Sequence, residues 1–337
     1  MKAAFFKEFG PPDKIIYGDL PQPKPGPGQY LVKVAATDVN PIDTYIRSGL
    51  VKMDLPLPYI IGCSLAGTIA EAGPNAKRFK PGDRVWGSNQ GLLGRQGASA
   101  EFAVADECWL YPTPKGVSDE DVAAIALVGI TAHLGLVRDA KLRGGEVLFV
   151  NGGSGGVGSA VVQMAKALGA SFVITTAGND EKVALCKKLG ADLAINYKSE
   201  DVDAAIRNFA PEGVKIAVNV WWETLREPDF DRAVNALGPR GRIILMAGRD
   251  ARPQFPVGPF YVKGCSMYGF AMFNASAQEQ RAAAMDISRW MTEGKLRANI
   301  GRVLPLSEAA AAHQLQEENT LGKKGTLAGK IVLRIGT

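Results

Sequence analysis

The stretch that decides the fold is an apolar run followed by a glycine-rich turn: Val147-Leu148-Phe149-Val150-Asn151-Gly152-Gly153-Ser154-Gly155-Gly156-Val157-Gly158. The first four residues predict a buried strand, and the residues after the turn repeat apolar side chains at the spacing of a helix. The glycines at 153, 155 and 158 fit the pattern GxGxxG, which predicts a dinucleotide site when it joins a strand to a helix.

The physical basis of that prediction lies in the backbone of the turn. Glycines permit a tight turn and let the backbone approach a pyrophosphate, while the helix N-terminus offers unpaired N–H groups and a partial positive charge. We therefore expect a dinucleotide to contact Gly153, Ser154, Gly155, Gly156 and Val157. The alternative is a glycine-rich turn with a purely structural purpose.

The residues after the next predicted strand bear on which dinucleotide binds. A site for NAD usually places Asp or Glu at the end of this strand, where it binds the ribose 2′-hydroxyl. Here the strand ends with Thr175-Thr176-Ala177-Gly178, and Asn179 or Asp180 is better placed to cap the next helix. Lys182 lies one turn into that helix, where it either binds a 2′-phosphate or is a solvated lysine. The pattern favours NADPH over NADH.

The chain from Glu146 onward alternates between apolar strands and amphipathic helices. The helices are predicted near 157–168, 180–189, 201–209 and 229–237, and the strands at Val147–Val150, Phe172–Thr176, Leu193–Ile195, Ile216–Val220, Arg242–Met246 and Cys265–Phe270. Continuous apolar strands are typical of a sheet covered on both faces, and the alternation predicts a doubly wound parallel sheet.

The chain before residue 118 has a different character. Thirteen of the twenty prolines lie before residue 115, where they separate short strand-like runs. Many short strands broken by glycine and proline predict a β barrel or sandwich. Ser118, with Asp121 three residues later, predicts the start of the next helix. A last strand is predicted at Lys330–Ile335, after helices near 277–293 and 306–317.

The composition of the 337-residue chain excludes several classes of protein. The length suggests about two domains, and 46% apolar with 22% charged residues is typical of globular proteins. Four scattered cysteines without a CxxC pair argue against a disulfide scaffold and for a reducing cytoplasm. The net charge of +5 comes without a basic stripe, and the apolar runs are too short to span a bilayer. We expect neither a nucleic-acid nor a membrane partner.

Motifs spread over the whole chain carry a resemblance to a known family. They are Val39–Gly49 (VNPIDTYIRSG), Gly62–Gly67 (GCSLAG), Pro81–Val85 (PGDRV), Ala100–Val104 (AEFAV), Gly129–Ala132 (GITA), the turn at 154–158 and Gly329–Leu333 (GKIVL). In these motifs, their order and their separations, the sequence resembles the zinc-independent quinone oxidoreductases (zeta-crystallin-like) of the medium-chain dehydrogenase/reductase superfamily.

The resemblance implies an α/β protein of two domains. A GroES-like β-barrel catalytic domain is built from both chain ends, residues 1–122 and 275–337. A Rossmann domain with a six-stranded parallel sheet, residues 123–274, is inserted between them. The resemblance also implies NADPH as the cofactor, with its nicotinamide in the cleft between the domains, and a homodimer formed through the sheet edge near Cys265–Phe270.

The residues at the zinc positions of the superfamily predict that no metal binds. Zinc-dependent members carry Cys where this chain has Asn40 and His-Glu where it has Cys63-Ser64. A catalytic zinc needs three protein ligands and an open position, which Cys63 alone does not supply. Residues 87–100 correspond to the structural-zinc loop and hold no cysteine. His133 and His313 are better explained as packed or surface side chains.

Without a metal, hydrogen-bond donors must stabilise the charge that builds on a carbonyl oxygen as hydride leaves C4 of NADPH. The acceptor is a quinone or an α,β-unsaturated carbonyl. The resemblance places Asn40 and Tyr45 at this site and Thr131 beside the nicotinamide. Tyr45 either donates its phenolic proton or orients the nicotinamide amide. The alternatives are local: Asn40 forms a turn before Pro41, and Tyr45 packs in the core.

Further cofactor contacts follow from the resemblance alone. Gly178, Lys182 and Tyr197 resemble the pocket for the adenosine phosphate. Two segments at predicted strand ends are expected to line the cofactor: Met246, Ala247, Gly248 and Arg249, and then Phe270, Ala271 and Met272. Arg249 is alternatively an exposed loop residue.

Two features depart from the family pattern. Where relatives commonly read Asp-x-Val-Gly-Gly, this chain reads Asn219-Val220-Trp221-Trp222-Glu223. The two indoles either pack away from the cofactor or narrow the cleft. Cys63 is either an unreactive buried thiol or a cleft thiol that reacts with electrophiles.

Three functions fit these observations. The favoured one is an enzyme, an NADPH-dependent quinone reductase. The second is an NADPH-dependent enoyl or alkenal reductase on the same scaffold. The third is a non-catalytic NADPH- or RNA-binding protein of the crystallin type, because a fold does not dictate a function.

Overall fold

The computed structural model describes residues 1–209, 216–322 and 324–336, which form two compact units. Unit 1 comprises residues 1–130 together with the described residues from 275 onward, and unit 2 comprises the described residues of 131–274. The first boundary between the units follows residue 130 and so lies further along the chain than the predicted boundary at 122/123. The change in composition marks the start of a helix, whereas the boundary falls inside that helix. The second lies at 274/275.

The strands and helices of the described residues are numbered in chain order. The strands are β1 Lys2–Phe6, β2 Ile16–Asp19, β3 Gln29–Val39, β4 Tyr59–Ile60, β5 Leu65–Ala72, β6 Arg84–Gly87, β7 Phe102–Asp106, β8 Leu110–Pro112, β9 Val147–Val150, β10 Phe172–Ala177, β11 Leu193–Asn196, β12 Val218–Glu223, β13 Leu237–Leu245, β14 Ser266–Gly269, β15 Ile300–Pro305 and β16 Lys330–Arg334. The helices are α1 Pro41–Arg47, α2 Asp119–His133, α3 Gly156–Ala167, α4 Asp180–Lys188, α5 Val202–Asn208, α6 Phe230–Ala236, α7 Val257–Val262, α8 Ala277–Thr292 and α9 Ala309–Thr320.

Unit 2 is built on one six-stranded sheet in the order β11-β10-β9-β12-β13-β14. Every neighbouring pair is parallel, which confirms the predicted doubly wound Rossmann sheet. Chain order reverses at β9, which has β10 on one side and β12 on the other. In open parallel sheets, ligands bind at such a switch point, beyond the carboxyl ends of the strands. The glycine-rich turn follows β9 at that point.

The two tryptophans of β12 pack inside unit 2. The ring of Trp221 stacks on Phe149 of β9 with 3.9 Å between centroids. Trp222 fills the space over Gly135, where an added Cβ would lie 2.3 Å from its ring. Both indoles are buried. Of the two alternatives, this supports packing in the interior rather than a narrowing of the cleft. They also extend β12 to Glu223, beyond the predicted end at Val220.

Unit 1 contains a seven-stranded sheet, β15-β16-β3-β5-β6-β8 with β7 also paired to β3, and a three-stranded sheet, β2-β1-β4. The long strand β3 pairs antiparallel with β5, β7 and β16. The last strand therefore returns to the N-terminal part of the chain, as predicted. The N-terminus of α2 is also confirmed, because the Asp121 N–H donates to Ser118 Oγ at 3.1 Å.

One helix of the described residues is long enough and apolar enough to cross a membrane by length and composition. It runs from Asp119 to Asp139, because a π-helical turn at Leu134–Asp139 continues α2. The sequence predicted where this helix begins, but its apolar runs did not show that it reaches such a length. Of its most apolar window, 78% is buried inside the molecule, and a buried core helix passes the same test.

Candidate functional site

The glycine-rich turn of unit 2 is held by two threonines of the neighbouring strand β10. The Gly152 N–H donates to Thr176 Oγ1 at 3.0 Å, and the Gly153 N–H donates to Thr175 Oγ1 at 2.9 Å. The Thr175 hydroxyl in turn donates to the Val150 carbonyl at 2.7 Å. The path of the turn is therefore fixed before any ligand binds.

The three glycines of the pattern differ in what surrounds them. An added Cβ would lie 2.3 Å from Thr175 Oγ1 at Gly153 and 2.2 Å from the Gly152 carbonyl oxygen at Gly158. These two glycines are needed for close packing. At Gly155 the nearest atom would be 3.4 Å away, an ordinary contact. The space at Gly155 is therefore open to a ligand.

The N-terminus of α3 offers donors for an anion. Gly155 is the N-cap, and the Ser159 N–H donates to the Gly155 carbonyl at 2.9 Å. The N–H groups of Gly156, Val157 and Gly158 precede that bond, as the first N–H groups of any helix do. Together with the open space at Gly155, they fit the pyrophosphate of a dinucleotide.

The carboxyl ends of β10 and β11 bring together a second group of predicted residues. Asn179 caps α4 by accepting the Lys182 N–H at 2.8 Å, so the predicted cap is confirmed. Asp180 accepts a hydrogen bond from Asn196 Nδ2 at 2.7 Å. The Tyr197 hydroxyl lies over Gly178, where an added Cβ would be 2.9 Å away. Tyr197 is 54% exposed, so its ring is accessible to a ligand.

Lys182 stands beside a second lysine that sequence reasoning missed. Burial lowers the pKa of Lys182, and the positive charge of Lys198 lowers it further, while Glu181 acts in the opposite direction. Two ammonium groups that repel each other are stabilised by a bound dianion. Lys198 directly follows Tyr197, so a search for basic residues after each strand would have found it.

The segments after β13 and β14 lie at the same edge of the sheet. Met246 Sδ accepts the Trp222 indole N–H at 3.2 Å, Ala247 is half-buried, and Gly248 has a φ of +80°. Arg249 is exposed, in line with the loop alternative. Phe270 and Ala271 are half-buried, with the Arg138 guanidinium 5.1 Å from the Phe270 ring centre, and Met272 is buried. Thr131 is buried within α2.

In unit 1, a buried polar network fixes Asn40. Asn40 Nδ2 donates to Asp38 Oδ1 at 2.7 Å, and its Oδ1 accepts from Lys330 Nζ at 2.5 Å. Lys330 also forms an ion pair with Asp38, at 2.9 Å. The amide of Asn40 therefore has one orientation. Asn40 also begins α1, in a capping box with Asp43, which agrees with the local role considered for it.

The same network contains the thiol of Cys63. Its Sγ donates to Asp43 Oδ1 at 2.9 Å, and Asp43 Oδ2 accepts the Asn40 N–H at 2.7 Å. Burial raises the pKa of Asp43 to about 6, and burial together with the Asp43 carboxylate raises the pKa of Cys63 well above its usual range. Cys63 is thus the unreactive buried thiol of the two alternatives. Tyr45, in α1, is half-buried.

The described residues contain no group of three or more His, Cys, Asp and Glu side chains arranged to hold a metal ion. Of the three side chains at the superfamily's zinc positions, two form other hydrogen bonds, and Ser64 Oγ is buried without a hydrogen-bond partner in the part of the chain that the structure describes. Asn40 is bound to Asp38 and Lys330, and Cys63 is bound to Asp43.

Comparison with known proteins matches both units. The profile "Alcohol dehydrogenase GroES-like domain" matches residues 26–115, and "Zinc-binding dehydrogenase" matches residues 156–289. The quinone oxidoreductase of Sus scrofa is 33% identical over 329 residues, covering 97% of this chain and 95% of its own. A trans-enoyl reductase of Aspergillus terreus (strain NIH 2624 / FGSC A1156) is 30% identical over 330 residues, covering 92% and 87%.

Solved structures match over the whole length. A structure described as an NAD-dependent alcohol dehydrogenase has a TM-score of 0.87 and 30% identity, with all of both chains covered. The Escherichia coli quinone oxidoreductase in complex with NADPH has a TM-score of 0.84 and 25% identity, covering 99% of this chain and 100% of its own.

Proposed function

The chain belongs to the medium-chain dehydrogenase/reductase superfamily, and from this premise we propose that it is an NADPH-dependent oxidoreductase that reduces a quinone without zinc. The observation that carries the proposal is the phosphate-binding arrangement at the switch point of the sheet: the fixed turn, the open space at Gly155 and the free end of α3. When bound, NADPH supplies a hydride from C4 of its nicotinamide.

The choice of NADPH rests on charge at the carboxyl ends of β10 and β11. Lys182 and Lys198 offer two positive charges for a 2′-phosphate, and Tyr197 and Gly178 offer a surface for the adenosine. The Escherichia coli relative was solved with NADPH. The similar alcohol dehydrogenase is described as NAD-dependent, so binding of both cofactors must be compared.

The proposal that the reaction needs no zinc rests on the side chains of unit 1 that stand at the superfamily's zinc positions. Asn40 and Cys63 occupy the ligand positions, and both are committed to hydrogen bonds inside a buried network. We assign Tyr45 the role of hydrogen-bond donor to the acceptor carbonyl, and Thr131 a place beside the nicotinamide. Asn40, whose amide the network holds, begins the helix α1 and so positions Tyr45 within it. The phenol of Tyr45 carries the testable part of this assignment, because its hydroxyl is removable without loss of the ring.

A second candidate is reduction of the double bond of an enoyl compound. The trans-enoyl reductase of Aspergillus terreus favours it, since its identity to this chain is close to that of the quinone oxidoreductases. In both reactions charge builds on a carbonyl oxygen, so the same donors serve either substrate.

A homodimer through β14 belongs to the same proposal. β14 is the last strand in the sheet order and pairs with β13 on one side. Beside it, α7 exposes 69% of Tyr261 and 74% of Val262, and large exposed apolar side chains mark interaction surfaces. We place the protein in the cytoplasm, where its four free cysteines stay reduced.

The experiment that tests the function is a screen of NADPH oxidation against a panel of quinones and enones, with and without a chelator. The proposal predicts turnover of quinones that the chelator leaves unchanged. Turnover of enones alone supports the second candidate. Loss of activity with the chelator contradicts the proposal that the reaction needs no zinc.

A further inference from the structure

A buried carboxylate lies beside the glycine-rich turn, and the proposed reaction gives it no role. Glu223 is the last residue of β12 and is 1% exposed. It stands where the family pattern has glycine, so the resemblance does not account for it. Burying a carboxylate costs free energy unless hydrogen bonds replace its lost hydration. The partners of Glu223 therefore indicate what its burial achieves.

The hydrogen bonds of Glu223 come from three directions. Asn151 Nδ2 donates to both carboxylate oxygens, at 3.0 Å each. The Trp221 indole N–H donates to Oε2 at 3.1 Å, and the Leu225 N–H donates to Oε1 at 2.8 Å. All these partners are N–H donors, so the arrangement suits the ionised carboxylate, which only accepts.

Asn151 is the residue through which Glu223 reaches the turn. Its backbone N–H donates to the Trp222 carbonyl at 3.1 Å, and its carbonyl accepts from the Thr224 hydroxyl at 2.8 Å. Glu223 holds the side chain of Asn151, and Asn151 is the residue directly before Gly152 and Gly153 in the chain. The carboxylate therefore fixes the first residue of the turn from the β12 side, while the threonines of β10 fix the turn from the other side.

We propose that Glu223 is a positioning residue for the dinucleotide: its carboxylate, acting through Asn151, holds the glycine-rich turn in the shape that receives the pyrophosphate. This inference rests on the proposed NADPH binding. A preformed turn spares the ordering cost that a mobile one would impose on binding.

The charge of Glu223 is held by neutral donors. The groups that contact it from the turn, from β12 and from the segment after β12 belong to Asn151, Trp221, Thr224 and Leu225, none of which is ionisable. Burial raises the pKa of Glu223 above its usual value. A protonated carboxyl points an O–H at N–H donors, so protonation loosens the hold on Asn151.

The test compares Glu223→Gln with Glu146→Gln. Glu146 directly precedes β9, at the opposite end of the sheet, where it pairs with Arg242. We expect Glu223→Gln to weaken NADPH binding about tenfold, the size of one lost hydrogen bond to a charged group, with kcat at saturation unchanged. In the cofactor-free protein, hydrogen exchange at residues 151–156 should quicken. Glu146→Gln should change neither quantity.

Asn151→Ala provides a second route to the same answer. If Glu223 acts through Asn151, this variant weakens binding similarly, and the double variant weakens it no further. The ratio of the Kd of Glu223→Gln to that of the wild type should shrink as the pH falls and Glu223 becomes protonated. Titration of the 2′-phosphate cancels in this ratio.

Two results overturn the inference: unchanged exchange at 151–156 in Glu223→Gln, or losses of affinity that add in the double variant. Failure of the wild type to bind NADPH contradicts the proposed function instead. The exchange measurement needs no cofactor, so it still reports whether Glu223 holds the turn.

Discussion

The thiol of Cys63 donates a hydrogen bond to Asp43 Oδ1 at 2.9 Å, deep inside unit 1. The resemblance implies that Cys63 stands where zinc-dependent members of the superfamily carry a zinc ligand. The carboxylate stabilises the protonated thiol, so the sulfur is a poor nucleophile in this arrangement.

Cys63 should therefore resist alkylation in the folded protein. Cys108 and Cys265 are half-buried, whereas Cys63 and Cys186 are buried. Burial raises the pKa of Cys63, Cys186 and Cys108, so the difference in exposure decides which thiols react first. We expect iodoacetamide to label Cys108 and Cys265 first, and Cys63 only after denaturation, as read by peptide mass spectrometry. Rapid native labelling of Cys63 would show that the pair with Asp43 opens.

Gly155 and Gly158 should respond differently to an added side chain. Gly155→Val meets open space and an ordinary φ of −76°, so the melting temperature should hardly change while NADPH binding is lost. Gly158→Val drives a Cβ to within 2.2 Å of the Gly152 carbonyl oxygen and should unfold unit 2. Calorimetry combined with a fluorescence titration of NADPH separates the two effects. Undiminished NADPH binding by Gly155→Val would contradict the assignment of the turn.

The glycine pattern illustrates what the sequence could and could not predict. The spacing predicted the strand, the turn and the helix, because those depend on local backbone chemistry. It did not predict Glu223 or Lys198, because their neighbours Asn151 and Lys182 are distant in the chain and meet them only through strand order. The packing of Trp221 against Phe149 could not be predicted for the same reason, since the sequence pattern does not show that β12 lies next to β9 in the sheet.

Lys182→Ala should distinguish the two nicotinamide cofactors. The loss of one positive charge facing a 2′-phosphate should weaken NADPH binding about tenfold and leave NADH binding nearly unchanged. Lys187→Ala is the matched control, because Lys187 lies on the same helix but in its last turn. Equal losses for both cofactors would mean that Lys182 supports the fold of the pocket and does not bind the phosphate.

Tyr45→Phe tests the proposed donor to the acceptor carbonyl. If the phenol polarises that oxygen, kcat should fall by about tenfold or more while the Kd of NADPH stays the same. Steady-state kinetics with a saturating quinone measure the first quantity, and a binding titration measures the second. An unchanged kcat assigns Tyr45 to packing in α1, and a changed Kd assigns it to orienting the nicotinamide.

His313 should make the protein acid-sensitive. It is buried in α9, and burial together with the nearby charge of Arg47 lowers its pKa from 6.5 to about 3. In the unfolded chain, His313 therefore takes up a proton below about pH 6.5, whereas in the folded chain it takes up that proton only near pH 3. Within that window the free energy of unfolding should fall as the pH falls, by up to about 1.4 kcal/mol per pH unit from this group.

The variant His313→Leu removes this contribution. Asp43, whose pKa is raised to about 6, acts in the opposite direction between its unfolded and folded pKa values, because the folded chain takes up its proton first. The readout is therefore the difference between wild type and variant in urea unfolding at pH 7 and pH 5, which cancels the contribution of Asp43. The variant should lose less stability than the wild type between these two pH values. Equal losses would mean that His313 is protonated in the folded protein, against the burial that the structure gives it.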